Sequence, residues 1–389
     1  MNRHLFPAIG LVLTALAAQA AATDLKPAIA LVKQVGAEGR GNADAARAWQ
    51  SLAKADAASL PMLLAAMDEA NDLAVNWLRA AVDAIADREK QAGARLPLHA
   101  LREFLADTRN HPRARRLAFE LIARDEPAAA ARLVPTFADD PSVELRHDAV
   151  QRLLGAADTA LAANDKTAAA AGFRSALTSA RDEAQIKKAA AELRKLGLEV
   201  DLPRHFGFLM EWQIIGPFDN TQLAGFNAVY PPEKEINLAA EYAGKLGKLR
   251  WSAHATRDDY GMVDFNKPLG DHKGVTAYAY TEFNAADARP AELRLGCKNG
   301  WKVWFNGQLL FGRDEYHRGS RLDQYRLPVQ LQAGKNTLLV KACQNEEVKD
   351  WTKEWQFQLR VCDAAGTAIL AKDRATAPAK AATKPTAQK

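Results

Sequence analysis

The sequence predicts a multidomain α plus β protein: a short α-solenoid of helix pairs followed by an antiparallel β-sandwich of the jelly-roll kind. Three observations predict it. The composition changes near residue 203, because all seven Tyr and six of the eight Trp lie beyond that point while Ala dominates before it. Ala, Leu and Arg favour helix, whereas aromatic and β-branched residues favour strands. Before the change, similar helix pairs recur at offsets of 37 and 31 residues, the range of stacked helical repeats. After it, short alternating runs follow one another at roughly 8–12-residue spacing, divided by turn signals such as Gly216-Pro217, Asn299-Gly300, Asn306-Gly307 and Gly334-Lys335-Asn336.

Residues 1–20 read as a signal peptide. Arg3 and His4 precede the apolar run LFPAIGLVLTALA, which leads to the small-x-small cleavage pattern Ala18-Gln19-Ala20. The run is short for a membrane-spanning helix, and no other segment is apolar enough to span a bilayer. No Cys follows the leader to carry a lipid anchor. The expectation is a periplasmic or secreted protein with no transmembrane segment.

Residues 24–200 form the expected helical-repeat domain. Segment 57–70 pairs with 73–90, 96–110 with 111–126, and 128–140 with 142–158. Aligning the second helix of each pair places Ala81, Ala118 and Ala149 in one column. Val82, Phe119 and Val150 form the next column, and Ile85, Ile122 and Leu153 another. The stretch Asp140-Pro141-Ser142-Val143-Glu144-Leu145-Arg146, ahead of Ala149-Val150, resembles a HEAT repeat. Pro there opens a helix without needing an N–H donor, and a small Ala lets neighbouring helices approach. The longer Ala-rich pair 156–182 and 183–197 resembles a TPR hairpin. Such repeats commonly bind protein on a concave surface, so this half implies either another envelope protein as partner or a spacer.

Residues 205–365 form the expected sandwich, with strands at 208–216, 276–284, 291–297, 302–306, 308–312, 325–331, 336–343 and 355–362. Asn-Gly supplies the positive φ angles of a type I′ turn, so Asn299-Gly300 and Asn306-Gly307 are each expected to reverse the chain. Between them Trp301, Val303 and Phe305 face one side, and Lys302, Trp304 and Asn306 the other. One of these faces makes the core. Trp304 on the other side is either a sugar-stacking platform beside Lys302 or an indole buried at a sheet or domain junction. The order of Trp212 to Phe218, Val303 to Gly307, Gly334 to Lys341 and Trp355 to Asp363 resembles the galactose-binding-like jelly rolls. These accompany glycoside hydrolases and many exported bacterial proteins. The fusion of helical repeats to such a sandwich is similar to a group of exported bacterial proteins of no settled activity.

Two loops add polar and aromatic groups. Phe311 to Tyr325 gathers Arg313, Asp314, Glu315, Tyr316, His317, Arg318, Arg321, Asp323 and Tyr325 between two strands, where ligands usually bind. Arg and carboxylate side chains can each bridge neighbouring hydroxyls. The loop 345–355 carries Trp351, expected to be exposed, and Trp355, expected in the core. Segment 257–271 is rich in Asp, Asn and Gly, and a structural calcium there is the one cofactor to consider, without the spacing of an EF-hand. Cys297, Cys343 and Cys362 read as buried thiols.

No HExxH, CxxC, GxSxG, P-loop or GxGxxG motif occurs, so no catalytic residue is assigned. The net charge of +5 does not point to nucleic acid, because five cations against two carboxylates follow Cys362. Residues 366–389 are expected to be a disordered basic tail. The function these features imply is non-catalytic recognition of a polysaccharide or glycoconjugate, with Trp304, Trp351, Arg313, His317 and Asp323 as ligand contacts. A protein-interaction scaffold using the helical surface is the alternative, and a glycoside-active enzyme the third possibility.

Overall fold

Ala and Leu at helical spacing, started by short polar side chains, build the first half of the chain in the computed structural model, which describes residues 24–376. The helices are α1 (Lys26–Lys33), α2 (Asn42–Ala53), α3 (Leu60–Ala65), α4 (Asp72–Gln91) and α5 (Leu98–Ala106). They continue with α6 (Pro112–Asp125), α7 (Pro127–Leu133), α8 (Val143–Ala162), α9 (Lys166–Ser179) and α10 (Glu183–Lys195). Asn71, Ser142, Asp165 and Asp182 each accept a hydrogen bond from the backbone N–H three residues on, capping α4, α8, α9 and α10. Among the described residues, no helix is long and apolar enough to cross a membrane. The signal-peptide segment 1–20 lies outside the described residues, as does the tail beyond 376.

The chain makes two compact units that divide between Arg132 and Leu133. Within the first, contacts recur at a nearly constant interval. Asn71 Nδ2 donates to Val35 O, 36 residues away, and Arg88 Nη1 to Ala53 O, 35 away. Arg113 Nη2 donates to Asn76 Oδ1 at a separation of 37, and Arg79 pairs with Glu120 at 41. Helices of the first unit are therefore tied by side chains across separations of 35 to 41 residues. The α1–α2 pair, unmarked in the sequence, joins the same ladder. Of the aligned residues, Ala81, Val82, Ile85, Ala118, Phe119, Ile122, Ala149 and Val150 are buried and Leu153 is half-buried.

The second unit contains α8–α10, a short α11 (Leu202–Phe206) and the sandwich. The change in composition near residue 203 and the division between compact units thus fall at different places. Helix α8 also runs unbroken through 156–158, where one helix pair was expected to give way to the next. Leu202, Phe206 and Phe208 join Val150, Phe173, Ile186 and Leu193 in one apolar cluster.

The strands are β1 (Glu211–Asp219), β2 (Glu241–Gly244), β3 (Gly247–Arg250), β4 (Ser252–Ala255), β5 (Val263–Asp264) and β6 (Val275–Ala285). They continue with β7 (Arg289–Cys297), β8 (Gly300–Phe305), β9 (Gln308–Arg313), β10 (Tyr325–Leu331), β11 (Gly334–Gln344) and β12 (Gln356–Cys362). A six-stranded sheet in the order β4-β1-β6-β11-β8-β9 faces a four-stranded sheet in the order β10-β7-β12-β5, with β2-β3 a separate hairpin. Every pair is antiparallel. Trp301, Val303 and Phe305 join Trp212, Trp355 and Phe357 in the core between the sheets.

The two Asn-Gly steps behave differently. Asn306 and Gly307 have φ of 49° and 78° and close the β8–β9 hairpin. Asn299-Gly300 makes no hairpin: β7 and β8 belong to different sheets, and Asn299 is buried at the crossing. Residues 366–374 also depart from expectation. Ile369 N donates to Val361 O, and Arg204 Nη1 donates to Arg374 O at 2.8 Å, so this stretch is laid against β12 and α11 rather than belonging to a disordered tail.

Candidate functional site

One end of the sandwich gathers the loops after β1, β7, β9 and β11, and buried amides hold them together. Asn299 Nδ2 donates to Gln344 Oε1 and to Glu354 O, both at 3.1 Å. Gln344 Nε2 donates to Thr352 O at 2.9 Å, and Asn220 Nδ2 to Gln344 O at 2.9 Å. Asn220, Asn299, Gln344 and Thr352 are all buried, and a buried amide left unbonded costs more than its bonds return. This hub therefore fixes the loops relative to one another. Sequence reading missed it. The only signal was Asn299-Gly300, which carries the same letters as a hairpin turn.

On this base the β9–β10 loop meets the β11–β12 loop. His317 N donates to Lys298 O at 2.7 Å, and the Lys298 ammonium pairs with Glu354. The His317 ring stands edge-on to the Trp351 indole, with centroids 5.1 Å apart and planes at 89°. Its Nε2 is buried and lies 3.8 Å from Glu347 Oε2, beyond hydrogen-bond reach. Lys349 Nζ sits 5.4 Å from the Trp351 centroid and 2.8 Å from Glu347, holding that carboxyl below the usual glutamate range. Lys273 Nζ donates to Thr352 O at 2.6 Å from below the loop, and burial lowers its pKa. Trp351 itself is 57% exposed. A cleft of about 430 Å³ opens within the β9–β10 loop, lined by Glu315, Arg318, Arg321 and Gln324.

The five residues singled out in the sequence do not form one site. His317 and Trp351 are brought together. Arg313, at the end of β9, lies opposite Trp301, stacks its guanidinium 5.8 Å from Phe311 and faces Glu315 at 3.7 Å. Asp323 is turned inward and bonded to Arg294 and Arg360 at 2.6–2.7 Å, which leaves its carboxylate committed to the fold.

Trp304 lies on the outer face of the six-stranded sheet and is 8% exposed. The segment 220–251, with α12 (Pro231–Lys234) and the β2–β3 hairpin, folds over that face. Its cover packs Trp304 with Tyr278, Tyr280, Leu339 and Leu249, so the indole offers no open stacking face. The cover is pinned by Lys341, wholly buried, whose Nζ pairs with Glu233 at 2.7 Å and donates to Ala228 O at 2.7 Å. In the 257–271 loop Asp258 accepts from Tyr260 N and Met262 N, Asp264 from Asn266 N, and Asp259 from Arg194 Nη1. Among the described residues, no three His, Cys, Asp or Glu side chains gather as a metal site.

No family model matches the chain, and no curated protein matches it. Solved structures similar in part include a family 35 carbohydrate binding module from Clostridium thermocellum. It has 14% identity and a TM-score of 0.19, over 24% of this chain and 75% of that one. A family 35 module from an environmental isolate shows 15% identity and a TM-score of 0.18, over 26% and 83%. A β-glucosidase from Kluyveromyces marxianus shows 11% identity and a TM-score of 0.25 over 39% of this chain, which spans 16% of that enzyme.

Proposed function

We propose that this chain is an exported, non-catalytic binding protein that recognises carbohydrate through its β-sandwich, at the rim around Trp351 and His317. The observation that carries the reading is Trp351: among the described residues it is the most exposed indole, and His317 packs edge-on against it. Sugar rings present apolar C–H faces and hydroxyl rims, so a braced open indole flanked by charged donors and acceptors matches both. Glu347 and Lys349 supply such groups beside it. Export rests on the leader-like residues 1–20, and a periplasmic or extracellular location follows from that reading.

The test is a binding screen of the protein against a panel of soluble polysaccharides, by retardation in polysaccharide-containing gels, alongside Trp351→Ala. Retardation by at least one glycan that disappears in a folded Trp351→Ala supports the rim. Retardation unchanged in the variant would remove Trp351 from the site.

A second reading is favoured by the helical half, whose ladder of contacts at about one repeat length suits a HEAT-like array, with Leu31, Met62 and Leu73 exposed on α1, α3 and α4. Such a surface would bind another envelope protein. Polar substitutions at those three positions would then abolish capture of that partner, while rim substitutions would leave it intact.

A further inference from the structure

The outer face of the six-stranded sheet holds a second feature, which adjoins the Lys341–Glu233 pin through Glu233. Gln213 on β1 stands opposite Tyr280 on β6, Tyr280 opposite Leu339 on β11, and Leu339 opposite Trp304 on β8. With Ala253 of β4 beside Gln213, these residues form one row across five strands. At about 4.8 Å between strands, the row is roughly 19 Å long. Two cavities lie along it. One, of about 590 Å³, is lined by Glu211, Gln213, Tyr280, Glu282 and Leu238. The other, of about 160 Å³, is lined by Glu235, Ile236, Tyr280, Trp304, Thr337 and Leu339. Tyr280 lines both, and their walls come from Ile236 and Leu238, two residues apart on the covering segment.

We propose that these cavities are one groove and that it holds a neutral oligosaccharide extended across the strands, a site separate from the rim. The inference rests on the carbohydrate reading above and extends it to a second place on the same domain. Tyr280 and Trp304, 6% and 8% exposed, close the floor of the groove without offering an open stacking face, so recognition there falls to the polar groups around them. Around that floor stand Glu211, Gln213 and Thr337, whose side chains make no hydrogen bond among the described residues. Glu282 accepts from Tyr280 Oη at 2.8 Å and from Lys335 at 2.6 Å, and Lys335 keeps its carboxyl below the usual range, ionised and with lone pairs to spare.

An extended peptide gains affinity by adding main-chain bonds to a sheet edge, and here the strands of the floor already spend theirs on one another. A sheet face offers only side chains, which suits hydroxyl groups. Glu211, Glu233, Glu235 and Glu282 line the two cavities against Lys234, and Lys335 and Lys341 are each paired with one of these carboxylates, which disfavours uronic acids and sulfated sugars.

The test is titration calorimetry of the full chain with gluco-, manno- and xylo-oligosaccharides of one to six sugars. It compares the wild type, Trp351→Ala, and Gln213→Ala combined with Thr337→Ala. A groove predicts affinity that rises at least tenfold from two to six sugars in one series, a gain lost in the double variant and kept in Trp351→Ala. Because Gln213 and Thr337 are peripheral, an unchanged thermal midpoint shows that the double variant folds. A fluorescence change of the remaining indoles on adding hexasaccharide to Trp351→Ala gives a second readout. If the double variant keeps wild-type affinity at every length, the groove is not a site, whatever happens at the rim. If Trp351→Ala alone abolishes all binding, only the rim binds sugar. If Trp351→Ala is silent while the double variant loses the gain, the groove stands and the rim reading falls. Absence of any binding by the wild type overturns both.

Discussion

Arg294 and Arg360 stand directly opposite each other on β7 and β12, two buried guanidiniums at a single cross-strand pair. Like charges so placed repel unless a counter-charge joins them, and Asp323 does so, accepting from Arg294 Nη1 at 2.7 Å and Arg360 Nη2 at 2.6 Å. Arg360 Nη1 also donates to Phe206 O and Gly366 O, so the carboxylate anchors the β9–β10 loop to the point where the helices enter the sandwich. Asp323→Ala takes the carboxylate from buried Arg360 and leaves Arg294 with Glu292 alone at 2.8 Å. The expected cost is about 3–5 kcal/mol, the range for removing one partner of a buried pair, read from urea unfolding followed by tryptophan fluorescence. A change under about 1 kcal/mol would show that water already screens the pair.

Lys341 and Glu233 allow a sharper comparison. Burial lowers the lysine pKa while the Glu233 hydrogen bond resists, so the ammonium depends on its partner. Glu233→Ala is expected to cost roughly 3–5 kcal/mol, whereas Lys341→Met combined with Glu233→Gln lies much closer to wild type, because the desolvation penalty leaves with the charge. The measurement is chemical denaturation of the single and double variants.

At the rim, binding and stability are expected to part. Trp351 is more than half exposed, so Trp351→Ala removes little buried area and changes the thermal midpoint by only a degree or two, equivalent to less than about 1 kcal/mol. Glycan retention is expected to vanish in the same variant. A large fall in the midpoint would assign the indole to packing instead.

His205 gives the fold a pH dependence. Burial, then the charges of Arg181 and Arg360, push its pKa down to about 4. The unfolded chain titrates near 6.5 and therefore binds the proton first as pH falls. Stability is full above about pH 6.5 and is lost progressively toward pH 4, by up to about 3 kcal/mol at 1.36 kcal/mol per unit. Replacing His205 by Gln is expected to flatten the thermal midpoint between pH 6.5 and 4. An unchanged slope in that variant would place the acid sensitivity elsewhere.

The three cysteines are free and buried, with Cys297 pushed up to about 12 and Cys343 and Cys362 to about 11, each chiefly by burial. The thiolate is the reactive form. Iodoacetamide at pH 8 is expected to label none of them in the folded protein and all of them in urea, as counted by intact mass.

What was legible in the sequence follows from how local each signal is. All eight strands read from alternation are present, because a strand between two sheets needs its inward residues apolar whatever its partners are. The strands β2 to β5 were missed: each has four residues or fewer, and β2 and β4 carry little apolar alternation. Trp304 posed a question that its own strand does not answer, since the segment covering it lies more than fifty residues upstream. The nearness of His317 to Trp351 is set by topology: the loops after β9 and β11 leave the same sheet at the same end. The commitment of Asp323 depends on the register of β7 against β12, which pairs Arg294 with Arg360 and leaves no mark on either strand alone.

The passage from α11 into the sandwich has a consequence for how the second unit comes apart. Phe206 and Phe208 share one cluster with Phe173 and Leu193 of the helices, while Val361 N donates to Gly207 O and Leu209 N to Leu359 O. Neither layer can loosen along this seam without exposing the other, so helices α8–α10 and strand β12 open as a single cooperative block. Native-state hydrogen exchange is then expected to give the amides of Phe173 and Val361 the same opening free energy. A cut near residue 203, where the composition changes, would divide a foldon, whereas one between Arg132 and Leu133 would leave it whole.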